Sequence, residues 1–199
     1  VTIFATGLEV AETLEAAEKL AADGIDYRQI KLPEYESDSS ILVRKYLAGD
    51  FGKNAGDVNA YAASVLYAAD RFASFTEKWG EDYRNGKLIF ADRYTPANAL
   101  YQMTKLQKSE WDPFLEWLFD FEYEKIGIPA PDKVIFLDMP VEVSQRLMTS
   151  RYGGDESKKD MLFATPPKLP SGFANAFLYM FPLRITKRIP TASPTIKAK

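Results

Sequence analysis

The sequence of 199 residues contains no cysteine and no histidine. Without cysteine there is no disulfide framework and no thiolate metal site. Without histidine, Ser-His-Asp triads, imidazole bases and His-ligated zinc are excluded. Any chemistry must therefore use carboxylates, Arg, Lys, Tyr, Ser, backbone amides and a hard cation. Phosphoryl transfer can proceed with these groups, because it depends on positioning and charge neutralisation more than on proton transfer.

Long apolar runs and a strong net charge are also missing. No run of about 18 apolar residues and no signal peptide is visible. The formal net charge is only −3. We therefore expect a cytoplasmic protein that binds neither membrane nor nucleic acid.

Acidic residues are missing after Asp160. The segment 161–199 holds six Lys or Arg and six of the 12 prolines. This change in composition separates a domain over 1–160 from a basic, Pro-rich tail whose structure the sequence does not predict.

Short apolar runs alternate with amphipathic segments over the first 150 residues or so. This alternation predicts an α/β fold: a three-layer, doubly wound parallel sheet flanked by helices. Strands are predicted at 1–4, 27–32, 87–91 and 134–137. Helices are predicted at 12–23, 39–47, 58–79, 95–105, 111–126 and 141–150. In the helix at 39–47 we expect Ile41, Leu42 and Tyr46 to face the core.

The stretch 88–102 carries the strongest functional signal. An apolar run leads into Asp92 and Arg93, as in a buried parallel strand that ends at a ligand crevice. A carboxylate there can face Mg²⁺ and a guanidinium can grip phosphate. Taken alone, the pair is better explained as a surface ion pair. The polar residues Asn98, Tyr101 and Gln102 follow directly at helical spacing, however, which favours a site.

Four segments share one order and spacing with a known family. They are Leu-Pro-Glu-Tyr at 32–35, Leu-Tyr-Ala-Ala-Asp-Arg at 66–71, Asp-Arg-Tyr at 92–94 with the three polar residues that follow, and Pro-Asp-Lys-Val-Ile-Phe-Leu-Asp at 131–138. Together they resemble the thymidylate (dTMP) kinase family of P-loop nucleoside monophosphate kinases. The resemblance implies the P-loop kinase fold, with Mg²⁺-assisted transfer of the γ-phosphoryl group of ATP to dTMP, giving dTDP.

The resemblance also implies roles for individual residues. Tyr67, where the family usually has Phe, would stack on thymine, and Arg71 on the same helix face would donate to a base carbonyl. Arg93 would hold the acceptor monophosphate, and Asp92 would lie beside Mg²⁺ and the phosphates. Tyr101 would block a ribose 2′-hydroxyl. The remaining residues of the substrate pocket would be Pro33, Tyr35, Asn98 and Gln102.

Arg146 and Arg151 flank the start of a charged, Gly-containing loop. In the family this region, 146–160, is the lid that closes over the donor nucleotide. An arginine there would stabilise charge on the transferring phosphoryl group. The alternative is a mobile surface loop, and the sequence does not favour either arginine.

The phosphate loop expected after the first strand is missing. Its motif, G-x-x-x-x-G-K-[ST], brings backbone amides and a lysine to the phosphates. Near Ala5, Thr6, Gly7 and Thr13 the chain instead has one Gly, no Lys and two acids, which would repel a triphosphate. The codons for residues 8–11 can spell Gly-Ser-Gly when read one base out of frame, so a frameshift is one explanation. Glu34 is another departure, since a basic residue often follows this proline in the family.

Several alternatives to an active dTMP kinase remain open. A non-catalytic homologue, or a frameshifted product, would keep the dTMP pocket without turnover. A deoxynucleoside kinase shares the fold, although the residues above fit a monophosphate acceptor better. The tail could bind an anionic partner. The aromatic helices at 58–79 and 111–126 could pair in a homodimer, but such stripes are more often core.

Overall fold

A parallel β-sheet forms the centre of the computed structural model, which describes residues 2–5, 19, 22–54, 56–138 and 184–188. Strand β1 is Thr2–Ala5, β2 is Tyr27–Lys31 and β3 is Leu88–Asp92. β3 lies between the other two and pairs in parallel with both. The last residues of β1 and β2 are both in register with the last residue of β3. All three strands therefore end at one edge of the sheet.

Two further strands form a second parallel pair. β4 (Val134–Asp138) pairs with β5 (Arg184–Arg188), and β4 also lies beside β1. The spatial order is therefore β2-β3-β1-β4-β5, an α/β arrangement. β5 was not predicted, because its sequence, RITKR, lacks the apolar run that marks a buried parallel strand.

Helices follow β2 and β3 in the described part of the chain. Short 3₁₀ turns precede α1 and α5, and π-helical turns extend α2 to residue 79 and α5 to residue 125. None of these helices is long and apolar enough to cross a bilayer. The α-helices are α1, Ile41–Leu47; α2, Ala60–Ser74; α3, Gly80–Arg84; α4, Thr95–Met103; and α5, Trp111–Phe119.

Two clusters of buried side chains hold α2 and α4 in place. The first joins the sheet to the end of α2, where Trp79 packs edge-on against Tyr94 with ring centroids 6.2 Å apart. The second joins α2, α4 and α5 around Met103, Phe114 and Leu118. Both helices are thus fixed relative to the sheet edge at which the strands end.

The predicted strands agree with the observed ones to within one residue at each end. The predicted inner face of α1 was right for Tyr46, which is buried together with Val43. It was wrong for Ile41 and Leu42, which are 49% and 42% exposed. A helix of seven residues buries one stripe of side chains, and here that stripe contains Val43 and Tyr46, which are three residues apart. The helix predicted at 12–23 lies largely outside the described residues, and that at 141–150 lies wholly outside them.

Candidate functional site

A cleft opens where β2 and β3 end, between α2 and α4. The empty space within it is about 580 Å³, a figure that includes space open to solvent. Aromatic and aliphatic side chains form most of its wall, with a few polar groups among them. The lining residues are Leu32, Pro33, Tyr35, Leu47, Tyr67, Asp70, Arg71, Arg93, Tyr94, Ala97, Asn98, Tyr101 and Gln102.

All the residues predicted to bind the substrate line this one cleft, and their roles in binding stay predictions. Asp92 lies at the adjoining end of β3, and Ala5, the last residue of β1, is in register with it. Thr6, Gly7, Thr13, Arg146 and Arg151 lie outside the described residues. The substrate-binding set is Pro33, Tyr35, Tyr67, Arg71, Arg93, Asn98, Tyr101 and Gln102.

Asp70 holds the loop that follows β2. Its side chain is buried and accepts hydrogen bonds from the Glu34 backbone amide at 3.1 Å and from Ser39 Oγ at 2.9 Å. From the other side, Arg44 Nη1 donates to the Tyr35 carbonyl at 2.5 Å. These bonds fix the wall of the cleft that the loop supplies.

Glu34 stands where the family often has a basic residue. Its carboxylate accepts a hydrogen bond from Ser74 Oγ at 2.6 Å and forms an ion pair with Lys78. It does not line the cleft. The negative charge is therefore neutralised away from the cleft, although the basic group is still lost.

Arg71 is held in a buried ion pair with Glu122. Nε and Nη2 of Arg71 donate to the two carboxylate oxygens at 2.6 and 2.5 Å, and the side chains are 4% and 0% exposed. Thr95 Oγ1 donates to the same carboxylate at 2.7 Å. Burial alone would lower the pKa of Arg71, but the charge and hydrogen bonds of Glu122 raise it above its ordinary value. Arg71 therefore stays charged at the cleft wall.

Two buried amides on α4 are oriented by their neighbours. Ser64 Oγ donates to the Ala60 carbonyl at 2.8 Å, so it must accept from Asn98 Nδ2 at 2.9 Å. The Gln102 side chain hydrogen-bonds the Tyr46 hydroxyl. Asn98 Oδ1 and Gln102 Oε1 are both buried without a partner in the described part of the chain. Two buried hydrogen-bond acceptors on cleft-lining residues thus lack a donor.

The Tyr67 side chain packs against a neighbouring tyrosine. Its ring meets that of Tyr46 edge-to-face with centroids 6.1 Å apart. Lys105 Nζ donates to the Tyr46 hydroxyl at 2.7 Å, and burial lowers the pKa of Lys105 to about 8. The Tyr67 ring is therefore held at the cleft wall by a packed and hydrogen-bonded neighbour.

Asp92 is the last residue of β3 and Arg93 follows it, and each is in an energetically unfavourable state. Arg93 has φ = 66°, in the left-handed region that non-glycine residues rarely adopt. Burial raises the pKa of Asp92, while the positive charges of Arg93 and Lys31 partly oppose this. Local strain of this kind is typical of functional positions.

Mg²⁺ in phosphoryl-transfer sites is usually held by one or two carboxylates and by substrate phosphates. No group of three or more acidic side chains converges within the described ranges. Asp92 is a single carboxylate at the sheet edge where β1, β2 and β3 end. This set of donors fits a Mg²⁺ ion that is held largely by phosphate oxygens.

Sequence reasoning missed the groups that support the cleft from behind. Ser64 and Thr95 carry no pattern that distinguishes them from ordinary helix residues. Asp70 belongs to the matched segment 66–71 and lines the cleft, but no role was predicted for it. Glu122 did carry one signal, since it is an acid between Phe121 and Tyr123 in an aromatic helix. A charged residue on an apolar stripe requires a buried partner.

A cleft of aromatic, amide and guanidinium groups at the carboxyl edge of a parallel sheet is typical of nucleotide-binding α/β proteins. The family model for thymidylate kinase matches residues 12–165. The thymidylate kinase of Mycobacterium tuberculosis (strain H37Rv) is 27% identical over 157 residues, 76% of this chain and 72% of that protein. A probable thymidylate kinase of Thermococcus onnurineus is 28% identical over 139 residues, 68% and 62% of the two chains.

The chain belongs to the thymidylate kinase family, which confirms the predicted resemblance and implies the P-loop kinase fold. The family match begins at residue 12. Most of the segment in which the phosphate loop was expected, 5–13, therefore lies outside it.

The strain at Arg93 predicts a difference between two substitutions that both remove the guanidinium. Arg93→Gly should be more stable than Arg93→Ala by roughly 0.5–1 kcal/mol, because glycine adopts a positive φ without a Cβ clash. Urea unfolding measures the difference. At Arg84, in helix α3, the order should reverse, because glycine disfavours helix. Equal stability of the two Arg93 variants would contradict the strained backbone.

The raised pKa of Asp92 predicts a pH-dependent gain in stability for Asp92→Asn. The folded state holds the Asp92 proton more tightly than the unfolded state, so the stability from this group is lost as pH rises through the folded pKa. Asp92→Asn should therefore raise the melting temperature at pH 7, by an amount that shrinks toward pH 4 or so. Asp57→Asn is a control of opposite sign, because backbone hydrogen bonding by Asn54 lowers the pKa of Asp57. Its stabilisation is present at neutral pH and lost as pH falls through the folded pKa.

Proposed function

We propose that this protein binds dTMP in the cleft and transfers the γ-phosphoryl group of ATP to it, giving dTDP. The observation that carries the proposal is the pair of buried, partnerless carbonyl oxygens on Asn98 and Gln102. A buried acceptor without a donor costs free energy, which a ligand N–H would recover once a small shift of the side chain opens the oxygen to the cleft. Family membership supports the same reaction.

Thymine offers a complementary edge, with an N3–H donor beside the 4-carbonyl. Asn98 Oδ1 would accept from N3–H, and Arg71 would donate to the 4-carbonyl, which points away from the sugar. Cytosine would place an acceptor against Asn98 Oδ1 and an amino group against the guanidinium, so the cleft would reject it. Tyr67 would stack on the base, and Tyr101 would exclude a ribose 2′-hydroxyl.

The phosphate end of the cleft would be formed by Arg93, whose fork suits a monophosphate. Asp92 would help to hold Mg²⁺, which when bound neutralises charge on the phosphate groups. Arg146 or Arg151 would complete the site from the lid, 146–160. Pro33 and Tyr35 would close the side of the acceptor that the loop after β2 supplies.

We extend the proposal to the whole chain as a three-layer, doubly wound domain over 1–160 with a basic tail over 161–199, in the cytoplasm. A homodimer would form through α2, whose residues Tyr61, Val65 and Phe72 are 38%, 42% and 44% exposed. Sedimentation equilibrium should give twice the 22.5 kDa of one chain. If the wild type has the mass of one chain, and Phe72→Glu leaves that mass unchanged, the dimer is contradicted.

A non-catalytic dTMP-binding homologue is the second candidate. It is favoured by residues 5–13, in which Ala5, Thr6, Gly7 and Thr13 surround two acids instead of a Gly-Lys motif. Such a loop would bind ATP poorly, while the dTMP cleft would be unaffected. If a frameshift produced this segment, the gene should spell Gly-Ser-Gly in the shifted frame at codons 8–11. Any other codons there would contradict the frameshift.

Thermal unfolding with each ligand and an ADP-release assay test these functions together. At a hundredfold excess over its dissociation constant, dTMP should stabilise the protein by about 2.7 kcal/mol. Thymidine should stabilise it less, because it offers no phosphate to Arg93. Arg93→Ala should lose most of the effect of dTMP, whereas Arg84→Ala, outside the cleft, should keep it.

The outcomes separate the candidates. ADP release that depends on dTMP supports the kinase. Stabilisation by dTMP but not by ATP, without turnover, supports the non-catalytic homologue. Turnover of thymidine in preference to dTMP would indicate a deoxynucleoside kinase. No response to either dTMP or thymidine would contradict the cleft as a nucleotide site, and a polyanion-binding tail over 161–199 would become the leading hypothesis.

A further inference from the structure

Glu122 is fully buried, does not line the cleft, and contacts both of its helical walls. It binds Arg71 of α2 through two hydrogen bonds and Thr95 of α4 through a third. We propose that Glu122 is a positioning residue for base selection, which aims Arg71 at the 4-carbonyl of a pyrimidine. This inference rests on the proposed binding of dTMP in the cleft.

The hydrogen-bond geometry defines which part of Arg71 can reach a ligand. A guanidinium is planar and carries five N–H donors in a fixed arrangement. Glu122 occupies the edge formed by Nε and Nη2. Because Glu122 lies outside the cleft lining while Arg71 lies within it, the edge formed around Nη1 is the one left to meet a ligand. The carboxylate thus determines how the guanidinium group is rotated within its own plane.

The third hydrogen bond connects the donor to the acceptors. Thr95 is the first residue of α4, the helix that carries Asn98 and Gln102. One carboxylate therefore fixes Arg71 and the start of α4 at the same point. A base edge that carries a carbonyl beside an N–H is recognised by a protein donor and a protein acceptor at a fixed separation. Glu122 fixes that separation because it contacts both helices.

The location of Glu122 agrees with a functional role. It lies in the π-helical turn Asp120–Lys125, a rare conformation that is frequent at functional sites. A buried ion pair also contributes little net stability compared with apolar residues of similar size. Stability alone therefore does not account for two buried charges at the wall of a ligand cleft.

Isothermal titration of the full-length protein with dTMP and 4-thio-dTMP tests the role. Sulfur at the 4-position accepts hydrogen bonds weakly, while N3–H is kept. The wild type should bind dTMP more tightly than 4-thio-dTMP by roughly tenfold, the effect of one hydrogen bond to a charged group. In Glu122→Gln this preference should fall to about twofold or less, because the two-oxygen fork is lost. The ratio for 2-thio-dTMP, which is altered at the other carbonyl, should be the same in both proteins.

Glu124→Gln is the matched control, since Glu124 lies in the same turn but is exposed. It should keep the wild-type preference. Equal weakening of both ligands in Glu122→Gln, or an unchanged preference, would overturn the inference while leaving dTMP binding intact. A wild type that binds no dTMP would overturn the proposed function, and the inference with it. If Glu122→Gln fails to fold, Thr95→Val decides: it should lower the preference by a smaller factor, and no change would reject the role.

Discussion

The buried ion pair between Arg71 and Glu122 is the constraint on which the cleft depends. Two charges removed from water are stabilised only when their geometry is good and their remaining hydrogen bonds are satisfied. Here a two-point fork meets the first condition, and the hydroxyl of Thr95 contributes to the second. The two apolar clusters hold α2 and α4 in place, and these directional hydrogen bonds add a constraint on the relative position of three helical segments. The separation of the cleft walls is therefore set by the ion pair together with apolar packing.

The end of β3 bears local costs that the sheet makes tolerable. Arg93 has a strained backbone, and Asp92 is a carboxylate partly removed from water. Parallel pairing on both sides of β3 extends to Asp92, the residue directly before Arg93, and leaves it little freedom to relax. Unfavourable local conformations on a rigid support are usual at functional sites. Selection for stability alone would remove them.

The sequence was most informative where a pattern has one physical explanation. Apolar runs located the strands, and the family resemblance assigned Tyr67, Arg71 and Asn98 to one pocket; all three line one cleft. The pattern failed where tertiary packing decides. Ile41 and Leu42 are apolar yet exposed, and β5 is cationic yet paired.

The groups that orient the cleft were harder to predict for a different reason. Asp70 and Glu122 act on partners 36 and 51 residues away in the chain. Side-chain hydrogen bonds over such separations follow from the tertiary fold and leave no periodic trace in the sequence. The residues that line a site can therefore be predicted from motifs, whereas the residues that orient them are identified only from the tertiary structure.

Ser64 gives the cleft its chemical polarity although it has no exposed surface. A main-chain carbonyl can only accept, so the Ala60 carbonyl determines the direction of the Ser64 hydroxyl. The hydroxyl in turn determines which atom of the Asn98 amide is left without a partner. The choice between presenting an acceptor and presenting a donor to a base is thus inherited from the backbone of α2. Two relatives with identical cleft linings could therefore differ in nucleobase preference through this one hidden position, as an alanine there would leave the amide free to turn.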